Sequence, residues 1–471
     1  MSECTLLWFR RDLRLSDHPA LTAAIARDRA IIPVFIRDPI VDGLGAAPKF
    51  RLELGLEAFD ARLRTFGSRL IFRSGDASDV LQALVTETGA RSVYWTRAYD
   101  PASVTRDTQL KTTLKNKNID ARSFGGHLMF EPWTVATKTG TPFKVYTPFW
   151  NAVRDRGVDT PLPMPASLPS PSIWPASEAL ADWGLSRAMN RGAAVVRDYA
   201  QVGEVTAQTR LSKFIEDGID RYNDARDLPA VDGTSCLSEN LSIGEISPHQ
   251  CWASAMAARQ NGSRGAETFL KELVWREFSY HLMHHTPQIL HRNWKPDWDA
   301  FPWSNDPNHP HVLAWKQGRT GIPFVDAAMR ELYVTGRMHN RGRMIVASYL
   351  TKHLLTDWRI GLQWFEDCLI DWDPAANAMG WQWAAGSGPD AAPYFRVFNP
   401  VTQLEKFDPR KNYPARWLAE GRRAPSHEAL KFYEASPRAW QLSPSDAPPN
   451  VIVTPEAGRA RALSAYENRG F

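Results

Sequence analysis

Residues 371–400 read DWDPAANAMGWQWAAGSGPDAAPYFRVFNP, a stretch that sets Asp371, Asp373, Asn377, Trp381 and Trp383 among small residues. An ordinary core helix would carry Leu, Ile and Val at helical spacing. Small side chains instead let something flat and bulky approach the backbone. Asp373 followed by Pro374 predicts a helix N-cap and a first helical residue. Asn377 then falls one turn in, and Trp381 one turn further on the same side. A carboxylate, an amide and an indole would face one ligand. Trp358 and Trp303 stand upstream in settings of similar character. Indoles can pass an electron through a protein interior, although spacing in sequence does not give distance in space.

Three other clusters have chemistry in them. AETFLKELVWREFSYHLMHH puts Glu272, Trp275, Arg276 and Ser279 on one helical face. That face suits a ligand surface; taken alone, a solvated face with an i,i+4 Glu–Arg pair explains it more simply. GRMHNRGRM (336–344) crowds Arg337, His339, Arg341 and Arg343 at a helix start, with Asn340 and Met344 one turn apart. Such groups repel unless an anion compensates, and phosphate at a helix N-terminus is a natural partner; a basic solvated surface is the competing explanation. DGTSCLS (232–238) offers Thr234, Ser235 and Ser238 for a pyrophosphate cradle, though such residues before helices are usually plain N-caps.

These residues need elements to position them. A chain of 471 residues predicts two or three domains. TLLWF (5–9), AIIPVFI (30–36), RLIFRSG (69–75) and SVYWT (92–96) are strand-like, and between them lie HPALTAAIA, RLELGLEAFDARLRTFG and DASDVLQALVTETGA with helical spacing. The alternation predicts an α/β domain with a doubly wound parallel sheet over 1–130. FRRDLRLSD follows the first strand where a Gly-rich dinucleotide fingerprint would stand, so the usual Rossmann pose is not expected there. Ligands in such sheets still favour the carboxyl ends of the strands. Residues 131–195 form an interdomain linker, with a proline-rich run PLPMPASLPSPSIWPAS at 161–177. From 196 to 471 every periodic run is helical: KFIEDGIDRYND, PHQCWASAMAARQ, the 266–285 run, PFVDAAMRELYV and RMIVASYLTKHLLTDW. No internal repeat is found.

Composition narrows the classes. A net charge of +4 argues for no particular partner by itself. The 19 tryptophans, concentrated in the second half, suit stacking on rings or bases. Cys4, Cys236, Cys251 and Cys368 are scattered without a CxxC pair, so no metal is expected and free thiols are. The N-terminus meets charge by residue 10, and no window approaches 18 apolar residues. A soluble, cytoplasmic, monomeric protein is expected.

Taken together, LLWFRRDLRLSDHPAL, DGTSCLS, ELVWREF, GIPFVDAAMREL, MHNRGRM and NAMGWQWAAGSGPDAAPYFRVFNP resemble the DNA photolyase/cryptochrome family in order and nearly end to end. The resemblance implies an antenna-binding α/β domain and a helical domain holding FAD folded into a U. Tyr222, Thr234, Ser235, Cys236, Leu237 and Ser238 match the segment that holds its phosphates. Arg276, Asn340, Arg343, Asp371 and Asp373 match residues around ribose, adenine and flavin. Asn377 matches the residue facing flavin N5, where an asparagine implies repair rather than signalling.

The resemblance also implies a lesion pocket. Glu272 would hydrogen-bond the damaged bases and steady their radical anion. Trp275 and Trp383 would stack on the extruded pyrimidines, with Met344 against them. Arg341 and Arg396 match groups near the DNA backbone. Trp381, Trp358 and Trp303 match the proximal, middle and distal members of a photoreduction chain, with two more residues between Trp303 and Trp315 than in many relatives. Relatives acting on the (6-4) photoproduct carry a histidine where Asn340 stands, so UV-damaged DNA with cyclobutane pyrimidine dimers is the implied substrate. Arg337 stands where class I enzymes often have an aromatic, and Cys236 where a basic residue is frequent. Both lean toward class III, with class I as second choice. Thr105 and His291 stand where class I folate-binding residues would be an acid and a lysine. Methenyltetrahydrofolate is the first antenna expected, ahead of 8-hydroxy-5-deazaflavin, FMN or none. Blue-light dimer repair is the implied activity; the alternative is a cryptochrome-type receptor using the same flavin to signal.

Overall fold

The computed structural model describes residues 4–390 and 395–471. Five strands, β1 (Cys4–Phe9), β2 (Ala30–Arg37), β3 (Ile71–Ser74), β4 (Ser92–Thr96) and β5 (Asp120–Phe124), form one parallel sheet in the order β3-β2-β1-β4-β5. The order reverses at β1, as in a doubly wound fold. All six residues of β1 are buried, because helices cover both faces. The covering helices are α1 (Pro19–Ile25), α2 (Ala46–Arg64), α3 (Ala77–Thr88) and α4 (Pro101–Asn116). β5 and α4 were not evident in the sequence. DARSF buries only Ala121, and α4 buries only Leu110 and Leu114 among its apolar residues, so neither advertises a period.

The proline-rich run at 161–177 does not cross freely between domains. It lies along the sheet domain, with Leu168 in the core and the Pro169 carbonyl accepting from the Ile31 N–H at 2.7 Å.

Beyond it the chain is helical. The elements that matter for the site are α5 (Ser238–Ile243), α6 (Pro248–Gln260), α7 (Ala266–His285), α8 (Pro323–Thr335), α9 (Asn340–Ser348), α10 (Trp358–Cys368) and α11 (Pro374–Ala385). α6 starts on a reciprocal cap between Ser247 and Gln250, with Pro248 in the first position. Two sequence runs expected as single helices are broken. KFIEDGIDRYND passes through a wide π turn at Phe214–Gly218 and a tight turn at Ile219–Arg221 before Tyr222. RMIVASYLTKHLLTDW leaves α9 through a π turn at Tyr349–His353, reverses at Leu355 (φ 50°), and restarts where Asp357 caps α10. Apolar spacing continues through both breaks; the hydrogen-bond register does not.

The two halves interlock. The Leu13 N–H donates to the Ile243 carbonyl (3.2 Å) and Arg14 to the Gly244 carbonyl (3.0 Å). Gly244 is left-handed (φ 75°), and a Cβ there would lie 2.1 Å from the Arg11 carbonyl oxygen. No other residue fits that approach. Glu204 accepts from the Leu15 and Ser16 N–H groups, and fully buried Arg51 on α2 pairs with Glu239 and Glu245.

Candidate functional site

A cavity of about 1300 Å³ opens among α7, α9, α11 and the 232–238 loop. Its wall gathers residues that are scattered in sequence. Tyr222 and Thr234 through Ser238 form one side; Arg276, Asn340, Arg343, Asp371, Asp373 and Asn377 another; Glu272, Trp275, Met344, Trp381 and Trp383 complete it.

Local chemistry explains their places. Asp373 caps α11 as the sequence predicts, its Oδ1 accepting from the Ala376 N–H at 3.0 Å. Its Oδ2 takes the Tyr280 hydroxyl (2.5 Å) and Arg11 (3.2 Å), so this carboxylate ties α7, α11 and the sheet domain together. Burial, and then the neighbouring Asp373 charge, push the Tyr280 phenol up. One turn into α11, Asn377 donates to the Leu362 carbonyl at 3.2 Å. Gly380 on α11 has open space where a Cβ would point.

At the mouth, Glu272 pairs with Arg226 at 2.5 Å, both half-exposed. Trp275 lies flat on Tyr146, ring centroids 3.6 Å apart and planes 6° from parallel. Tyr146 is fixed in turn by donating to the Lys271 carbonyl at 2.6 Å. Neither Arg226 nor Tyr146 was singled out in the sequence, since each meets its partner across more than 40 residues.

Comparison with known proteins follows the same lines. Residues 5–168 match the DNA photolyase family, and residues 269–468 match the FAD binding domain of DNA photolyase. A deoxyribodipyrimidine photo-lyase of Agrobacterium fabrum is 44% identical over 468 residues, 98% of this chain and 97% of its own. The chain belongs to the DNA photolyase/cryptochrome family. A crystal structure of a class III photolyase from Agrobacterium tumefaciens superposes with a TM-score of 0.91 at 42% identity, covering 100% of this chain and 98% of that one. An archaeal photolyase from Sulfolobus tokodaii, described with two FAD molecules, gives a TM-score of 0.80 at 28% identity over 98% of this chain and 99% of its own.

FAD, the cofactor of this family's helical domain, fits the cavity on physical grounds. Asp371 Oδ1 and the indole N–H groups of Trp372, Trp381 and Trp417 are buried in wall residues without a protein partner. An unpaired buried polar group costs about 1–3 kcal/mol, which a polar-edged ring system relieves. The hydroxyl-bearing loop and the arginines on the wall suit its phosphates.

Trp381, Trp358 and Trp303 are each held in place by packing or a hydrogen bond. Trp381 is 2% exposed and its ring lies on the backbone of α10, where a Cβ on Gly361 would sit 2.0 Å from it. Trp358 shares that helix three residues earlier, fully buried, donating to Asn293 Oδ1 at 2.8 Å. The chain leading into Trp358 pairs with the segment after Trp303: Ser304 N–H donates to Leu355 O (2.7 Å) and Asp357 N–H to Ser304 O (2.9 Å). Trp303 donates to the Thr351 carbonyl at 2.9 Å.

Several readings of the sequence are corrected. The basic cluster at 336–344 does not await a phosphate, because the protein supplies its anions: Arg337 pairs with Glu239, Arg341 with Asp227 and Arg343 with Asp371. His339 caps α9 through Nδ1, and burial holds its pKa down at about 4, so it is neutral. Arg341 is mostly buried, lies over the Phe407 ring and is absent from the cavity wall, so it is no open phosphate contact. Ser279 is buried, bonded back to the Arg276 carbonyl of its own helix. Arg276 reaches toward the sheet domain, donating to the His127 carbonyl at 2.8 Å. Arg396 is exposed and lines a smaller adjoining groove of about 310 Å³, which shares Trp383 with the main cavity. Lys352 beneath that groove donates to the Arg396 carbonyl at 2.5 Å, and burial lowers its pKa to about 7. Among the described residues no helix is long and apolar enough to cross a membrane.

Proposed function

We propose that this chain is a deoxyribodipyrimidine photo-lyase that repairs cyclobutane pyrimidine dimers in DNA with blue light. One observation carries the proposal: the residues matched to flavin and those matched to the lesion line a single cavity. Reduced FAD, when bound and excited by blue light, supplies one electron.

The protein's own groups do the rest. Photolyases as a group extrude their target nucleotides, at a cost of a few kcal/mol. Trp275 and Trp383 offset it by stacking, worth about 1–3 kcal/mol per base. Tyr146 behind Trp275 keeps that ring from turning aside. Glu272 offers a carboxylate to base N–H groups, and Arg226 beside it holds the charge in place. Met344 closes the wall beside the bases. Tyr222, Thr234, Ser235, Cys236, Leu237 and Ser238 hold the cofactor's phosphate side; Arg276, Asn340, Arg343, Asp371, Asp373 and Asn377 hold its rings and ribose. Trp381, Trp358 and Trp303 carry electrons inward for photoreduction. Arg396 takes a DNA phosphate, which makes binding fall as salt rises.

The working division is 1–130 for an antenna domain, 131–195 for the connection and 196–471 for FAD and DNA. Methenyltetrahydrofolate is the proposed antenna, with a second flavin as the competitor suggested by the photolyase from Sulfolobus tokodaii with its two FAD molecules. The protein is proposed to act as a cytoplasmic monomer. The test is an absorption spectrum of the purified protein before and after illumination with a thymine-dimer oligonucleotide. A flavin band and light-dependent loss of dimers are expected; a colourless preparation ends the proposal.

A further inference from the structure

The smaller groove beside the main cavity carries cations that the protein leaves unanswered. Lys295, Lys352, Arg396 and Arg469 line it. Arg337, Arg341 and Arg343 each have a carboxylate; among the described residues these four have none. Lys295 and Lys352 donate only to the Gly386 and Arg396 carbonyls, at 3.5 and 2.5 Å, and Arg469 only to the Tyr466 carbonyl. Asp297, the one acid among the described lining residues, is exposed and unpaired. Lys352 is 3% exposed. Burial, with Arg396 adding repulsion, holds its pKa down at about 7, as for an ammonium without an anion. Arg396 belongs to the proposed DNA contact; the other three cations have no assignment.

The same groove adjoins Trp303. Trp298, 6% exposed on the groove wall, stacks on Trp303 with ring centroids 5.6 Å apart and planes 28° from parallel. The π turn Tyr349–His353 serves both: its Thr351 carbonyl takes the Trp303 indole N–H at 2.9 Å, and its Lys352 lines the groove. A volume of about 310 Å³ stands at the small end of the range for small-molecule sites.

We infer that this groove docks a small planar anionic reductant, an enediolate or a reduced nicotinamide nucleotide, which passes an electron to Trp303 through Trp298. The inference rests on Trp303 being the outer end of the photoreduction chain and names the partner of that end. Once light has drawn one electron from Trp303 inward, the docked anion replaces it. The reductant is oxidised by one electron and sheds one proton to water, Trp303 regains its electron, and no bond to the protein forms. Lys295, Lys352 and Arg469 supply the attraction for the negative charge, and Trp298 supplies the ring beside it. A nucleic-acid strand would use the cations equally but has no use for the stack of Trp298 on Trp303.

The test is flash photolysis of the full-length holoprotein with its flavin oxidised, following decay of the oxidised-indole absorbance at rising concentrations of ascorbate, NADH or neutral hydroquinone and at two salt concentrations. With the anions the rate is expected to saturate and to fall as salt rises; with hydroquinone it rises linearly and ignores salt. Saturation by NADH alone selects the nucleotide, and by ascorbate alone the enediolate. Lys295→Gln combined with Arg469→Met is expected to slow the anions about tenfold at low concentration and leave hydroquinone unchanged. Trp298→Leu is expected to lower the plateau at an unchanged half-saturating concentration. Anions and hydroquinone behaving alike, or Trp298→Leu reacting at the unaltered rate because reductants meet Trp303 directly, overturns the docking. A double variant that loses affinity for a single-stranded oligonucleotide and keeps the anion rates gives the groove to the nucleic-acid strand and overturns it too. An unaltered, flavin-loaded protein with no indole signal overturns the parent chain instead.

Discussion

Trp381 and Trp383 stand two residues apart on α11 in opposite settings. Two residues turn a helix by about 200°, so the indoles face different surroundings. Trp381 is 2% exposed, pressed on the backbone of α10 and edged by Phe365 and Trp315 at 4.9 and 6.1 Å between centroids. Trp383 is half-buried, loosely against Phe398 at 6.3 Å, and borders both the main cavity and the adjoining groove. One ring is immobilised by packing and the other is left with a face to offer. Under the proposed function, the enclosed ring is the one assigned to electron passage and the open one the one assigned to base stacking.

That comparison can be broken by substitution. Trp381→Phe is expected to reduce photoreduction to background while chemically reduced protein still repairs dimers; repair lost under both regimes would erase the distinction. Trp383→Ala should do the reverse, weakening affinity for dimer-containing DNA by about 1–3 kcal/mol, roughly 5- to 150-fold, with the photoreduction rate unchanged. Gly361→Ala puts a methyl into the Trp381 ring, and overpacking of this kind costs about 1–3 kcal/mol. Its melting temperature should fall and its photoreduction slow, with DNA affinity intact; a fully unperturbed variant would show the ring free to move. Glu272→Ala is expected to lower repair severalfold, about 1 kcal/mol, with FAD retained in the purified protein.

The smallest effect concerns the wall both tryptophans share. His339 titrates at about 4 in the folded protein because burial disfavours its cation, against an ordinary 6.5. Unfolded chains therefore bind more protons between those values, and His339 costs nothing above pH 6.5 but progressively destabilises the fold as pH falls toward 4. His339→Gln should narrow its stability gap to the unaltered protein by on the order of 1 kcal/mol across that window, read from melts at pH 7 and pH 4.5. A constant gap would mean His339 is not the titrating group.

Much of the fold was legible because burial on two faces leaves a plain mark: AIIPVFI and TLLWF could hardly be anything but central strands. Edge elements escaped, since DARSF and the 101–116 helix bury too few apolar side chains to set a period. Broken helices escaped for another reason. Apolar spacing records which side chains are buried and is blind to a π turn that shifts the hydrogen bonds by one residue. The lining of the cavity was largely legible through motifs, while Arg226 on the wall and Tyr146 behind Trp275 were not, because their partners come from distant parts of the chain. The cluster at 336–344 shows the limit most clearly. Local charge crowding pointed to an external anion, and the acids that answer it are Asp227, Glu239 and Asp371.

The interlock at Gly244 has a consequence for birth of the molecule on the ribosome. Arg51 is buried against Glu239 and Glu245, so the first half emerges without the carboxylates that neutralise this cation. At about 5–20 residues per second, some ten seconds pass between synthesis of the last strand and arrival of those acceptors. During that interval Arg51 stands without the partners that cancel its charge in the finished molecule, and slower synthesis between the two segments would lengthen it.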